Sequence, residues 1–286
     1  MPVENVSDTA RWVAVYRAME TARSDALFRD PFAARLAGTQ GEQIVDQMKK
    51  GRSLAWPMIV RTHVFDEIIM DRIANHGIDT VINLAAGLDT RPWRLPLLPS
   101  LRWFDVDLLG MTNYKAAAMR EERASCEYEA IAADLTDKNA RTETFARLNS
   151  GASVSLVISE GLLIYLTERQ VGDLARDIAT MSSARWWLID LATPQLLRII
   201  NRHWGKALHD SAPFQFAPES GTAFFNEFGW REIEFHSGLE EAQRLHREMK
   251  FASLWRFLGK FSSAEKREGV RRMSGYVLLE RIPTSS

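Results

Sequence analysis

The sequence is short of several things, and each shortage removes a class of protein. One cysteine in 286 residues, Cys126, excludes an internal disulfide and any cysteine-rich zinc site. No apolar run approaches the roughly 20 residues of a membrane span. No early segment has a charged start followed by an apolar core, so no signal peptide is expected. Neither sign of charge is in excess: 36 Lys and Arg stand against 37 Asp and Glu, a formal net charge of −1. That balance argues against a nucleic-acid partner held by phosphate neutralisation. No histidine–carboxylate spacing suggests a metal site. The expectation is a soluble, cytoplasmic protein without a membrane partner.

What is present supports a sizeable core. The 46% hydrophobic content is ordinary for a globule, and the length allows one large α/β domain or two small ones. No internal repeat, low-complexity tract or linker stands out, so one domain is the better count. Nine tryptophans fit a core or an apolar pocket equally well.

The stretch TVINLAAGLDTRPWRLPLLPSLRWFDVD, residues 80–107, organises the rest. An apolar run over 81–84 leads to a turn at Gly87, and a second run from Leu101 ends on Asp105 and Asp107. A strand, a small-residue turn and a second strand ending in an acid about 20 residues later is how doubly wound sheets hold a nucleoside. The glycine lets the backbone approach the ligand, and the carboxylate accepts from ribose hydroxyls. The fuller G-x-G-x-x-G pattern is missing, because Gly87 is the one glycine of the stretch. A nucleoside without a pyrophosphate is therefore the better ligand, and S-adenosylmethionine fits better than NAD or ATP.

Ahead of this stretch the chain reads as helical. Residues 6–22 place Ala10, Val13, Ala14 and Ala18 at helical spacing, with Ser7 or Asp8 as candidate caps. Asp30 before Pro31 suggests a second cap with proline at the first helical position, and Gly38 and Gly41 then break the chain. Residues 53–75 predict a long helix with Ile59, Val60, Val64, Ile68, Ile69 and Ile73 as its buried stripe, ended by Gly77. Residues 1–78 thus form a helical cover over the ligand site.

From Thr80 strands and helices alternate, which points to a parallel sheet. Strands are expected at 81–84, 103–106, 128–132, 154–158, 186–191, 230–235 and 276–280, and helices at 109–124, 143–148 and 169–181. The last strand follows the sixth closely enough for an antiparallel, hairpin-like edge. Residues 79–192 are then the cofactor-binding core, 193–222 an insertion after the fifth strand and 223–286 C-terminal helices and edge strands. The insertion, with Pro194, Pro213, Pro218, Trp204, Phe214 and Phe216, is less regular. It leaves the sheet on the side where open α/β sheets bind ligands, so it is expected to shape an acceptor pocket.

Four acids, Asp107, Asp134, Glu160 and Asp190, fall where strands should end. Any one of them alone reads as a helix cap, but four at successive strand ends read as a site. Asp107 suits a ribose, Asp134 an adenine amino group with Leu135 over the ring, and Glu160 the ammonium end or the middle of the ligand. Asp105 is second choice to Asp107. Asp89 and Arg91 read as an ion pair that fixes the turn. His63 and His76 read as surface or helix-end residues, while His203 and His209 fall in the insertion.

The blocks VINLAAGLDTRPWRL, FDVDLLGMTNYK, AADL and ISEGLLIYLTERQV, with the leader TARWVAVYRAMETARSDALFRDPFAARLAG and RTHVFDEII, together resemble the leucine carboxyl methyltransferase family. The closest likeness is to its small-molecule branch, similar to polyketide carboxyl O-methyltransferases, and it extends to about Asp190. The resemblance implies a Rossmann-like class I fold with S-adenosylmethionine as cofactor: seven strands, mostly parallel, under a helical cover. It implies that Gly87 approaches the methionine part, Asp107 the ribose, Asp134 and Leu135 the adenine, and Glu160 the ammonium. Arg61, helped by Arg17, would pair with the methionine carboxylate, and Tyr165 would stand near the methyl group. Ala85 departs from the glycine of many members, which a negative φ would accommodate.

A carboxylate acceptor is already ionised at neutral pH, with a pKa near about 4, so its methylation needs positioning and no general base. The expected activity is therefore methyl esterification of a small-molecule or peptidic carboxylic acid, with Arg61 and then Arg91 or Arg198 as candidates to orient it. A phenol or hydroxyl acceptor, a non-catalytic S-adenosylmethionine-binding regulatory domain and a nicotinamide-dependent oxidoreductase are the alternatives. Acceptor identity and oligomeric state leave no mark in the motifs.

Overall fold

All seven expected strands form within two residues of the expected bounds in a computed structural model, which describes residues 6–48, 51–208, 213–249 and 263–283. They are β1 (Thr80–Leu84), β2 (Arg102–Asp107), β3 (Glu127–Ala132), β4 (Ser155–Ser159), β5 (Ala184–Ala192), β6 (Trp230–Ser237) and β7 (Ser274–Arg281). The helices are α1 (Val6–Thr21), α2 (Ala33–Gln47), α3 (Trp56–Asn75), α4 (Arg91–Arg94), α5 (Leu109–Met119), α6 (Lys138–Asn149), α7 (Glu168–Thr180), α8 (Pro194–Leu208), α9 (Gly238–Arg244) and α10 (Ala264–Arg271). Among the described residues no helix is long and apolar enough to cross a membrane.

The strands join in one α/β sheet in the order β3-β2-β1-β4-β5-β7-β6. The first five pair in parallel, and β7 runs antiparallel to both β5 and β6. The last strand is therefore an interior one, and β6 is the edge. β1 and β4 are buried at every position, as strands covered on both faces must be. The pleat sends Ile82, Leu84, Val157 and Trp187 into one apolar cluster with residues of α6 and α7. Their neighbours Val81, Leu156, Ile158 and Trp186 enter another with residues of α3. Because β1 lies between β2 and β4, the chain reverses direction across the sheet there, and a crevice opens at the carboxyl ends of those strands.

The predicted stripe of α3 is buried throughout. Its start shifts, because a 3-10 turn over Gly51–Leu54 precedes it and Pro57 occupies its first turn. α5 stops at Met119 rather than running to 124, since the following Arg120, Glu121, Glu122 and Arg123 offer no apolar face. α2 kinks at Gly38 (φ 59°, ψ −176°) but continues through Gly41. A Cβ at Gly41 would lie 3.1 Å from the Arg11 carbonyl oxygen, so this glycine allows α2 to pack on α1 and breaks nothing. α2 begins at Ala33 after Phe32, which has no side-chain cap, while Asp30 caps the turn ahead of it, its Oδ1 accepting from the Phe32 N–H at 3.1 Å. The irregular reading of the insertion gives way in its first half, where Pro194 starts a 15-residue helix, a position where its fixed φ is favourable; residues 213–218 are without regular structure.

Candidate active site

β1 ends at Leu84, and the chain must turn at once over the edge of the sheet. Ala85 and Gly87 make the turn with φ of +52° and +51°. The negative φ expected at Ala85 is thus corrected; the left-handed region costs an L-residue roughly 1–2 kcal/mol. At Gly87 a Cβ would lie 3.1 Å from the Ala10 Cβ, so α1 rests directly on the turn. The exposed N–H groups converge on Asp107: Gly87 donates to Oδ2 at 2.6 Å and Leu108 to Oδ1 at 2.7 Å. A carboxylate has about four acceptor positions, so each oxygen keeps one for a ligand. Burial pushes the Asp107 pKa up, against the downward pull of the two N–H groups.

Beside this turn runs a chain of buried ion pairs. Arg94 holds Asp66 at 2.6 Å, Arg91 holds Asp66 at 2.6 Å and Asp89 at 2.7 Å, and the same guanidinium reaches Glu160 at 2.8 Å. Arg61 then takes the other Glu160 oxygen and Asp190, each at 3.0 Å. Asp190 also accepts from the Gly161 N–H at 2.7 Å. The Asp89–Arg91 pair does fix the turn, with the Arg91 N–H donating to Asp89 at 2.8 Å. Four carboxylates face three guanidiniums along this chain, an arrangement with one negative charge in excess. Burial disfavours the Arg61 charge, but Asp190 and Glu160 outweigh it and push its pKa up. Burial likewise raises Asp89, yet Arg91, Lys115 and Arg94 hold its carboxyl well below the usual range.

The cover locks onto the turn through a second pair. Arg17 donates to Asp30 Oδ2 at 2.8 Å and to the Leu88 carbonyl at 2.5 Å. Thr90 donates to the same Asp30 oxygen at 2.7 Å. Asp30 thus joins the cover to the turn through Oδ2 while its Oδ1 makes the local capping bond to the Phe32 N–H. On the far side, Asp134 is exposed and accepts from the Thr136 N–H and hydroxyl at 2.8 and 2.7 Å, while Leu135 packs on the core beside it. Tyr165 follows Glu160 by one short turn, and its ring lies 5.3 Å from that of Phe214. Burial pushes its hydroxyl up to about 12, although a hydrogen bond with Thr9 pulls the other way.

These elements enclose a cavity of about 910 Å³, at the upper end of the roughly 300–1,000 Å³ of small-molecule sites. The motifs' residues all line it: Arg17, Arg61, Gly87, Asp107, Asp134, Leu135, Glu160 and Tyr165. So do Leu196 and Ile200 of α8, and Phe214 and Phe216 beyond it. Asp105 turns instead to a buried cluster, accepting from Lys115 at 2.6 Å, Trp103 at 2.9 Å and Tyr128 at 2.9 Å. Arg91 lines the cavity but turns its guanidinium to Asp66, Asp89, Glu160 and the Thr62 carbonyl, and Arg198 does not line the cavity. His63 lies beside Glu67 and His76 beside Asp71. The His203 side chain and His209 lie outside the described residues. Among those described, no group of His, Cys, Asp and Glu could hold a metal ion.

Sequence reasoning missed several partners. Asn83 donates to Asp89 at 2.9 Å. Asp66 fixes two arginines, and Tyr276 reaches the cavity from β7. Asp66 lies five residues after Arg61 in a helix otherwise read by its apolar stripe, and a buried charge in such a stripe was the available signal.

A sequence-family profile described as leucine carboxyl methyltransferase matches residues 10–179. A relative from Frankia alni, provisionally named an S-adenosyl-L-methionine-dependent methyltransferase, is 31% identical over 242 residues, covering 79% of this chain and 83% of the relative. Another with the same provisional name, from Streptomyces avermitilis, is 35% identical over 187 residues, 62% of this chain and 65% of its own length. Among solved structures, a DUF574 family protein from Streptomyces avermitilis has a TM-score of 0.57 at 12% identity, over 96% of this chain and 97% of that one. A provisionally named methyltransferase from Thermobifida fusca has a TM-score of 0.56 at 13% identity, over 95% and 94%. At such identities the structures speak for the fold, a Rossmann-like α/β sheet.

Proposed function

The chain belongs to the leucine carboxyl methyltransferase family, and on that premise we propose that it methylates a carboxylate oxygen of a small-molecule or peptidic natural product. It is an S-adenosylmethionine-dependent methyltransferase; the acceptor and the residue roles are what is proposed. The observation that carries the roles is the meeting of eight motif residues, from segments as distant as Arg17 and Tyr165, around one cavity.

The donor set fits the cofactor. The excess negative charge of the ion-pair chain suits a ligand with net charge of plus one, as the ammonium, sulfonium and carboxylate of this one sum to. Arg61 uses Nε and Nη1 on Glu160 and Asp190 and keeps further N–H groups for the methionine carboxylate, with Arg17, which lines the same cavity, as a second donor. Glu160 takes the ammonium. Asp107 offers its two remaining acceptor positions to the ribose hydroxyls. Asp134 and Leu135 receive the adenine edge and face.

When bound, S-adenosylmethionine supplies a methyl group made electrophilic by its sulfonium. The protein's part is to hold an acceptor in line and keep water out. Tyr165, whose hydroxyl sits at about 12, stays protonated at neutral pH and acts as a hydrogen-bond donor that orients the acceptor. An ionised carboxylate requires nothing to remove a proton, and positioning of this kind can contribute roughly 7–11 kcal/mol. The apolar walls from α8 and Phe214–Phe216 hold the acceptor's body.

The test is transfer from methyl-labelled S-adenosylmethionine to a panel of carboxylic acids and phenols, followed by mild alkali. Methyl esters release their label and methyl ethers retain it. Alkali-labile product is expected. Alkali-stable product alone would replace the carboxylate with a phenol or hydroxyl acceptor.

A further inference from the structure

A polar atom on a residue that lines the cavity, the Thr62 hydroxyl, is unexplained by the roles above. The Thr62 hydroxyl oxygen is buried, on a residue only 2% exposed, and has no hydrogen-bond partner. A threonine inside a helix ordinarily donates back to the carbonyl one turn earlier, here that of Met58, and this bond is not made. A buried hydroxyl without a partner costs stability, and a group of this kind in a native structure calls for a reason. The unpartnered atoms of Arg72, Trp93 and Ser237 belong to residues that do not line the cavity. Arg94 lines it, but both its terminal nitrogens are fixed on Asp66. Thr62 lines the cavity, follows Arg61 in sequence, and its carbonyl accepts from Arg91 at 3.3 Å. Arg91 in turn holds Glu160, so Thr62 sits beside the ion-pair chain of the site.

We propose that the Thr62 hydroxyl is a ligand for the amino-acid arm of the cofactor, donating its hydrogen bond to the carboxylate that Arg61 also receives. This rests on the cofactor placement proposed above. The hydroxyl is closed off and unpaired in the free protein, turns about its Cα–Cβ bond towards the cavity its residue lines and is satisfied on binding, so its contribution is felt in affinity and not in fold stability.

Titration calorimetry with S-adenosylhomocysteine and with 5′-methylthioadenosine, which lacks the amino-acid arm, tests this on the full chain. Thr62→Val keeps the shape and removes the hydroxyl. It is expected to bind S-adenosylhomocysteine about tenfold more weakly, the value of one hydrogen bond to a charged group. Binding of 5′-methylthioadenosine should be unchanged and the melting temperature unchanged or higher. Thr62→Ser should restore the affinity. An unaltered S-adenosylhomocysteine affinity in Thr62→Val, or an equal loss for both ligands, would overturn the proposal. Failure of the wild-type protein to bind S-adenosylhomocysteine would overturn the cofactor placement itself, and the Thr62 role with it.

Discussion

Replacing Asp107 by asparagine isolates the ribose contact. The amide keeps one oxygen for the Gly87 or Leu108 N–H, which donate at 2.6 and 2.7 Å, but it turns an NH2 group towards the other. One backbone bond is lost and two donors face each other. Against this, the variant no longer buries a charge, and burial already raises the Asp107 pKa above its ordinary 3.8. The two effects oppose, so stability should change by no more than about 1 kcal/mol. Ligand binding has no such compensation. Two ribose hydroxyls lose an ionised acceptor, worth roughly 1.5–3 kcal/mol, or about 10- to 150-fold in affinity for S-adenosylhomocysteine. The pH dependence follows in sign. Protonation removes the acceptor, so wild-type affinity holds at neutral pH and weakens as the pH falls towards the raised pKa, whereas Asp107→Asn should be flat there. Calorimetric titration across pH reads both. A loss under about threefold, or the same pH profile in both proteins, would refute the ribose role.

Ala85→Gly should stabilise the protein by about 0.5–1 kcal/mol, since relief of its +52° φ exceeds the added freedom of the unfolded chain; a higher urea midpoint checks this. Arg61→Met leaves Asp190 with the Gly161 N–H while Glu160 keeps Arg91, so stability should fall by about 3 kcal/mol and S-adenosylhomocysteine binding should be lost. Thermal unfolding of the variant within about 1 kcal/mol of wild type would contradict the ion-pair account. Asp89 is held below its ordinary 3.8, so it contributes stability above that pH that is lost as the pH drops beneath it. Asp89→Asn should therefore flatten the acid limb of the unfolding curve.

The sheet was legible because its strands are short apolar runs bounded by turns, and α3 because Ile59, Val60, Val64, Ile68, Ile69 and Ile73 repeat at helical spacing. The acids at strand ends were legible for a topological reason: parallel strands bring their carboxyl ends to one edge, however far apart they are in sequence. Features set by distant contacts were not. Asp30 looks like a cap beside Pro31 and does accept from the Phe32 N–H, but its other partners are Arg17 and Thr90, and no local pattern announces a residue 60 positions away. The insertion of β7 between β5 and β6 depends on pairing across a long excursion. The prolines and aromatics of 193–222 suggested irregular chain, although Pro194 opens α8. Ala85 shows the limit most sharply, because the turn imposes a backbone conformation that its own residue type resists.

A crystal structure of the protein with S-adenosylhomocysteine tests the account most directly. The account predicts the nucleoside in the cavity between α1 and the sheet edge, its ribose hydroxyls on Asp107 and its amino-acid arm between Arg61 and Glu160. A nucleoside bound elsewhere, or lying in the cavity with its ribose away from Asp107, would contradict it.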